Sequence, residues 1–147
     1  MRMTVKTVAV GKVLNVFSSG DFSLEEAMPN FLEILVAVEE NKSEKVLIDG
    51  REVRGDPSII ERFYYGQFAA DTVSEGKTLS RAHSDPQFAY VLHEPVLDPL
   101  RLGETVATNR GMNVKAFDNY AEAVQWLGLK PEEIVDFTRR KVEVDQT

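Results

Sequence analysis

The sequence has 147 residues, no cysteine and a formal net charge of −7. A chain of this length fits one domain, which we expect to span residues 1–147, and it can bury a core without cross-links. The missing cysteines exclude disulfides, thiolate metal sites and thiol catalysis, and the acidic balance argues against nucleic acid or an anionic membrane surface as a partner.

The beginning of the chain does not have the pattern of a secretory signal. Lys6, Gly11 and Lys12 interrupt its apolar residues, and no small-residue cleavage site follows them. No segment approaches the roughly 20 apolar residues that span a bilayer. We therefore expect a cytoplasmic protein that does not insert into membranes.

The first 48 residues predict two strands, a helix and a third strand. Residues 4–10 and 13–17 are β-branched runs joined by Gly11-Lys12, which is typical of a hairpin. Ser23 and Glu26 resemble a capping box, but Pro29 follows, so we predict a loose first turn and a helix that begins near Pro29. Residues 45–48 are continuously apolar, as in a strand of a parallel sheet.

The second half of the chain continues the alternation of helices and strands. Apolar residues spaced as in a helix follow residue 58, and Gly76 is expected to end that helix. Residues 87–92 and 113–117 predict the fourth and fifth strands, with a helix between them. Asn119 opens a further helix that Gly128 closes, and a last short helix is predicted to begin near Pro131.

Strands that alternate with helices indicate a sheet covered by crossover helices. The predicted fold class is therefore α/β, a five-stranded mixed sheet with helices packed on it and an extra C-terminal helix. That last helix carries Ile134, Val135 and Phe137. An exposed apolar strip of this kind tends to be covered, which makes a homodimer an expectation.

The stretch REVRGDPSIIERF contains the tripeptide Arg54-Gly55-Asp56, which adhesion receptors bind. Asp56-Pro57 directly precedes a helical pattern, so we predict that the side chain of Asp56 caps that helix and is not an adhesion signal. Asp98-Pro99 predicts a second cap of the same kind. Ser58 lies in the first turn, where the helix dipole favours a phosphate, but a serine also simply suits a helix start.

Polar residues at the predicted carboxyl ends of the strands form a candidate ligand site, because ligands gather at that edge of such sheets. They are Ser18, Asp49, Arg51, His93 and Glu94. Ser18, His93 and Asp49 would suit a hydrolase, but no Gly-x-Ser-x-Gly elbow is present.

A metal held by Asp49, His93 and Glu94 is equally conceivable, although the two histidines lack a paired ligand spacing. Asp49 and Arg51 are more simply explained as a surface pair. No dinucleotide or Walker-type loop occurs, so we predict no cofactor, no metal and no catalytic residue.

Three segments carry a resemblance to a known family: KVLNVFSSGDFSLEE, VLIDGREV and NRGMNVKAFDNYAEAVQWL. Their order of elements, over about residues 4–128, resembles the STAS-type fold of anti-sigma-factor antagonists. It is closer still to their SpoIIAA-like relatives, which are also compared with CRAL-TRIO lipid carriers. Residues 129–147 would be a helical extension.

The resemblance implies a phosphorylation site and a function. In the antagonists a partner kinase phosphorylates a serine at the start of the helix after the third strand, and Ser58 is the nearest positional match. The family typically has an Asp-Ser-Ser-Gly type of stretch, whereas this chain has Asp56-Pro57-Ser58-Ile59. A non-catalytic regulatory module that binds a protein partner is implied; an apolar small-molecule or lipid carrier and an enzyme are the alternatives.

Overall fold

A computed structural model describes residues 1–80, 85–98 and 101–137, without the side chains of residues 77–80. The strands are β1 (Thr4–Val10), β2 (Val13–Asp21), β3 (Lys45–Arg54), β4 (Gln87–Val91) and β5 (Val114–Phe117). They form one sheet in chain order, in which β1 is antiparallel to β2 and all other neighbours are parallel. The predicted mixed five-stranded sheet is confirmed.

The helices α1 (Leu24–Asn41), α2 (Ile59–Ser80) and α3 (Leu102–Asn109) connect the parallel strands, and α4 (Tyr120–Leu127) follows β5. From β2 to β5, each strand lies beside the previous one in the same direction across the sheet. Right-handed crossovers therefore place α1, α2 and α3 on one face of the sheet. Buried Phe31, Ala69 and Ala107 of these helices share a core with the sheet on that face.

Helix α4 covers the opposite face of the sheet. Its buried Ala123 and Leu127 contact Leu47 and Val91, which alternate along their strands with residues of the first core. The Asn119 side chain accepts a hydrogen bond from the Glu122 amide at 3.0 Å, and Gly128 ends the helix with a φ of +68°. Both ends of α4 lie where the sequence predicts them.

Helix α1 begins earlier than its sequence predicts and runs through Pro29. Pro29 removes the hydrogen bond to the carbonyl of Glu25, but both residues are exposed, so water can solvate that carbonyl. Ala27 and Phe31 are buried on either side of the proline and hold the helix against the core. Ser23 is the N-cap residue, but its side chain makes no capping hydrogen bond.

Helix α2 continues past Gly76 to Ser80, so the prediction that Gly76 ends it is wrong. Gly76 does not have a positive φ, and a glycine that keeps helical dihedrals costs an exposed helix only about 1 kcal/mol. A glycine ends a helix when it adopts the left-handed conformation, as Gly128 does.

The segment after α4 differs from the predicted terminal helix. A 3₁₀ turn forms at Pro131–Glu133, residues 134–136 are not helical, and Phe137 is helical. Residues 138–147 of the predicted extension lie outside the described residues. Asn15, which is 1% exposed, donates to the Glu133 carbonyl at 2.9 Å and accepts from the Val135 amide at 3.1 Å. The backbone is therefore held extended across β2, because a buried amide side chain needs these partners.

The apolar residues of this segment are used within the chain. The Phe137 ring stacks on the Phe17 ring with 5.5 Å between centroids, and Ile134 and Val135 are partly buried. The exposed strip from which the sequence argued for a homodimer is therefore not formed by these residues.

Candidate functional site

Ser58 caps helix α2. Its Oγ accepts a hydrogen bond from the Glu61 amide at 3.1 Å, and Glu61 Oε1 accepts one from the Ser58 amide at 2.9 Å. This reciprocal pair is a capping box. The side chain of Asp56 is 79% exposed, and within the described ranges its one side-chain hydrogen-bond partner is Arg62, at 3.4 Å, so the prediction that Asp56 caps the helix is wrong. The capping signal was the Ser-x-x-Glu spacing two residues further on.

The second aspartate predicted as a cap is not the N-cap residue of α3, which is Arg101, but its side chain does accept from the first amide of that helix. Both carboxylate oxygens of Asp98 accept from the Leu102 amide at 3.2 Å, at the start of α3. Pro99 lies outside the described residues. The Asp-Pro signal therefore marks an acceptor for the first amide of α3, three residues before its N-cap Arg101, and it does not mark the cap of α2.

Replacing Ser58 with alanine is expected to lower the free energy of unfolding by about 1 kcal/mol, because the first turn loses its side-chain acceptor. Asp56→Ala, the matched control, is expected to cost less than about 0.5 kcal/mol because the residue is exposed. Urea unfolding of both variants measures the difference. A larger loss for Asp56→Ala would contradict the assignment of the cap.

Arg62 ties the start of α2 to the loop after β4, a role that the sequence analysis missed. Its side chain is 10% exposed. The guanidinium donates to the carbonyl oxygens of Pro57 at 3.0 Å, Pro95 at 2.6 Å and Val96 at 2.6 Å. It also contacts the carboxylate of Asp98 at 3.4 Å. These partners lie up to 36 residues away in the chain, so no local sequence signal identifies them.

Four large apolar side chains are exposed beside Ser58. Ile59, Ile60, Phe63 and Tyr64 are 74, 65, 41 and 53% exposed. Residues three or four positions apart on a helix are neighbours on its surface, so the four form one patch over the first two turns, here called the α2 strip. A contiguous apolar patch is a more informative surface feature than single exposed residues.

The aromatic residues that continue the α2 strip point inward. The ring of Tyr65 meets the rings of Phe22, Phe31 and Tyr90 edge-on, at centroid distances of 6.2–6.4 Å. Phe68 also contacts Phe31. The exposed aromatic side chains of α2 therefore end at Tyr64, and the core-facing ones begin at Tyr65.

Asp49 and Arg51 form an ion pair on the face that α4 covers. They lie within β3, which continues to Arg54, and not at the strand end that the sequence predicts after residue 48. Arg51 Nε and Nη2 donate to the two carboxylate oxygens at 2.9 and 2.8 Å. The guanidinium also lies 4.5 Å from the centroid of the Tyr120 ring. The hydrogen bonds that Arg51 donates to Asp49 raise the pKa of Arg51 above its usual value. Both charges are satisfied within the chain, as expected of a structural pair.

The strand-end residues proposed as a catalytic or metal site are not brought together. Ser18 lines a cavity under α1 and α2, whereas Asp49 lies on the opposite face of the sheet, which α4 covers. His93 and Glu94 are exposed in the loop after β4. Among the described residues, no group of three or more histidine, cysteine, aspartate or glutamate side chains could hold a metal ion.

A cavity of about 150 Å³ lies between the sheet and helices α1, α2 and α3. Its lining is mostly apolar, and Ile34, Ile48 and Val53 are representative of it. The hydroxyl groups of Tyr65 and Tyr90, which also line it, are hydrogen bonded to each other at 2.9 Å. Sequence analysis allowed for an apolar pocket but did not identify these tyrosines.

Comparisons with known proteins support the fold. No protein-family model matches the chain, and no curated protein matches it. A similar solved structure is the crystal structure of an anti-sigma factor antagonist from Mycobacterium paratuberculosis, with 14% identity and a TM-score of 0.53. The similarity covers 86% of this chain and 95% of that one.

None of the helices within the described ranges is long and apolar enough to cross a membrane. At 14% identity the similarity concerns the fold, and it covers both the sheet and the helices packed on it. The chain therefore has the α/β fold of an anti-sigma factor antagonist, which is the STAS-like fold that the sequence predicts.

Proposed function

We propose that the protein is a non-catalytic regulatory module in the cytoplasm that binds a protein partner through the α2 strip. The observation that carries this proposal is the exposure of four large apolar side chains in two consecutive turns. Burial of such a patch removes about 25 cal/mol of unfavourable free energy per Å² of apolar surface. The fold of an anti-sigma factor antagonist, a protein class defined by protein binding, supports the same function.

The partner is a protein with a complementary apolar surface. Arg62, behind the strip, holds the start of α2 to the loop after β4, so the strip is presented on a fixed support. A preorganised surface binds with a smaller loss of conformational freedom. A second copy of the chain is the alternative occupant, and analytical ultracentrifugation across a range of concentrations distinguishes it.

Ser58 is proposed as the site that regulates this binding. Its side chain is at the exposed helix start directly beside Ile59 and Ile60. A phosphate would add a charge of about −2 next to Asp56 and Glu61, and like-charge repulsion would displace Glu61 from the Ser58 amide. The same charge would lie against an apolar interface, where its desolvation is unfavourable. Phosphorylation is therefore expected to weaken partner binding.

Site-specific photo-crosslinking in cells tests the binding surface. A photoreactive amino acid at position 60 is expected to capture one protein, and the same residue at position 36 is the control. Val36 on α1 is also apolar and 56% exposed, so it matches Ile60 in chemistry. Capture of the same protein with equal yield from position 36 would contradict the proposal.

Two substitutions at Ser58 distinguish the effect of a negative charge on partner affinity from the effect of losing the helix cap. Ser58→Ala removes the capping oxygen and adds no charge, so partner affinity is expected to change less than about threefold. Ser58→Asp keeps an acceptor and adds a negative charge, and affinity is expected to fall roughly tenfold. Equal affinities for the two variants, measured by titration calorimetry with the captured partner, would reject regulation by charge at Ser58.

A further inference from the structure

The cavity under α1, α2 and α3 is the size of a small molecule. A void of about 150 Å³ with an apolar lining is of the size known to bind benzene. It is smaller than the roughly 300–1,000 Å³ of pockets that hold drug-sized ligands. A ligand of about six to ten non-hydrogen atoms therefore fits, whereas a long-chain lipid, the cargo considered from the sequence, does not.

The hydroxyl groups of Tyr65 and Tyr90 give this apolar cavity a polar group that can donate one more hydrogen bond. Two hydroxyl groups bonded to each other use one of their two hydrogens. Among the described residues neither hydroxyl has another hydrogen-bond partner. Burial raises the pKa of Tyr65 to about 12 and that of Tyr90 well above its usual value, so both stay protonated and one O–H remains free to donate.

The two tyrosines are accessible from the cavity. Both keep part of their surface exposed although protein surrounds them closely enough to raise their pKa values by burial. Since both also line the cavity, the surface that stays accessible faces it. The free donor is therefore within reach of a molecule that occupies the void.

The charges around the cavity favour a neutral molecule. Arg62 and Arg101 are the arginines in its lining, and each already has a carboxylate partner. Arg62 contacts Asp98 at 3.4 Å and Arg101 contacts Glu104 at 3.9 Å. Arg62 also donates hydrogen bonds to three backbone carbonyl oxygens. An anionic ligand would have to break these contacts before either guanidinium could bind it.

We propose that this cavity is a binding site for a small neutral molecule with an apolar body and one hydrogen-bond acceptor, such as an aryl ketone. The hydroxyl pair of Tyr65 and Tyr90 donates to the acceptor while the apolar lining surrounds the body. The site is separate from the α2 strip, although Tyr65 and the strip belong to the same helix.

A pair of matched probes tests the proposal on the full chain. Acetophenone has the acceptor oxygen, and α-methylstyrene has nearly the same shape with a CH₂ group in place of that oxygen. Saturable shifts in methyl NMR spectra are expected for Ile34, Ile48 and Val53, which line the cavity, and not for Leu47 or Val91 on the opposite face. Acetophenone is expected to bind roughly threefold to tenfold more tightly, the usual range for one hydrogen bond.

Two variants assign the preference to the tyrosines. In the double variant Tyr65→Phe, Tyr90→Phe both hydroxyls are removed together, which keeps the shape and leaves no unpaired partner, so the protein is expected to fold. It should bind the two probes equally. Asn30→Leu is the control, since Asn30 also lines the cavity and its Nδ2 is buried without a hydrogen-bond partner; the preference should persist in it.

Several results would overturn the inference. They are an absence of saturable binding of either probe, equal binding of both by the unmodified protein, a preference that survives the double tyrosine variant, and shifts confined to the α4 face of the sheet.

Discussion

Replacing Arg62 with methionine is expected to lower the free energy of unfolding by about 3 kcal/mol. Methionine keeps much of the side-chain length but removes every donor. The carbonyl oxygens of Pro57, Pro95 and Val96 would then lose their partner, and the mostly buried carboxylate of Asp98 would lose a counter-charge. Buried polar groups that lack hydrogen-bond partners lower the free energy of unfolding.

Arg110→Met is the matched control for this prediction. Arg110 contacts Asp71 at 3.3 Å, but the two side chains are 41 and 49% exposed. Exposed ion pairs contribute little, so a change below about 0.5 kcal/mol is expected. Urea denaturation of both variants gives the comparison. If Arg62→Met costs no more than Arg110→Met, the α2 strip is not held in place by Arg62.

Gly66→Ala is expected to destabilise the protein by about 2 kcal/mol, because α2 and α3 meet at this glycine. A Cβ atom at position 66 would lie 2.6 Å from the Gly103 carbonyl oxygen and 3.3 Å from Val106 Cβ. The first contact is with backbone, which cannot rotate away, so the two helices would have to separate.

Gly76→Ala in the same helix is the control. A Cβ atom there meets nothing within 4 Å, and the residue is exposed. Alanine is a better helix former than glycine, so this change is expected to raise the free energy of unfolding by up to about 1 kcal/mol. Opposite signs for the two substitutions, measured by thermal unfolding, support the described contact between α2 and α3. Two changes of the same sign would contradict it.

The sequence predicts the sheet well because its signals are local. The β-branched runs, the Gly11-Lys12 hairpin and the alternation of strands with helices each lie within a few residues. All five predicted strands are present, but β2 and β3 continue four and six residues past their predicted ends. The caps at Asn119 and Gly128 are local in the same way. The prediction is wrong at Pro29, where buried neighbours hold the helix against the core, and at Gly76, where the glycine keeps helical dihedrals at a small cost.

The candidate site is less predictable from sequence because it depends on contacts between distant residues. The sequence predicts that Ser18 and Asp49 lie at strand ends, but β2 and β3 continue past them, and the pleat directs the two side chains to opposite faces of the sheet. Nothing in the sequence distinguishes Arg62 from the other arginines. Its role depends on the loop after β4, which packs against it in the folded protein. The hydrogen bond between Tyr65 and Tyr90 joins residues 25 positions apart, and neither has a recognisable motif around it.

The choice of Asp56 over Ser58 as the cap shows a different limit. Both residue types cap helices, and the two signals lie within three positions of each other. The Glu61 side chain decides between them, because it completes a reciprocal pair with Ser58 and not with Asp56. Asp98 has the same Asp-Pro signal without such a competitor, and it accepts from the first amide of α3, although the N-cap residue is Arg101.

The central claim is that the α2 strip binds the protein partner, and the affinity of that partner for Ile60→Asp tests it most directly. A carboxylate in the centre of an apolar contact is expected to weaken binding at least about tenfold. Val36→Asp on α1 is expected to leave the affinity within about twofold, because surface substitutions outside an interface have small effects. Equal affinities for the two variants, or a greater loss for Val36→Asp, would contradict the claim.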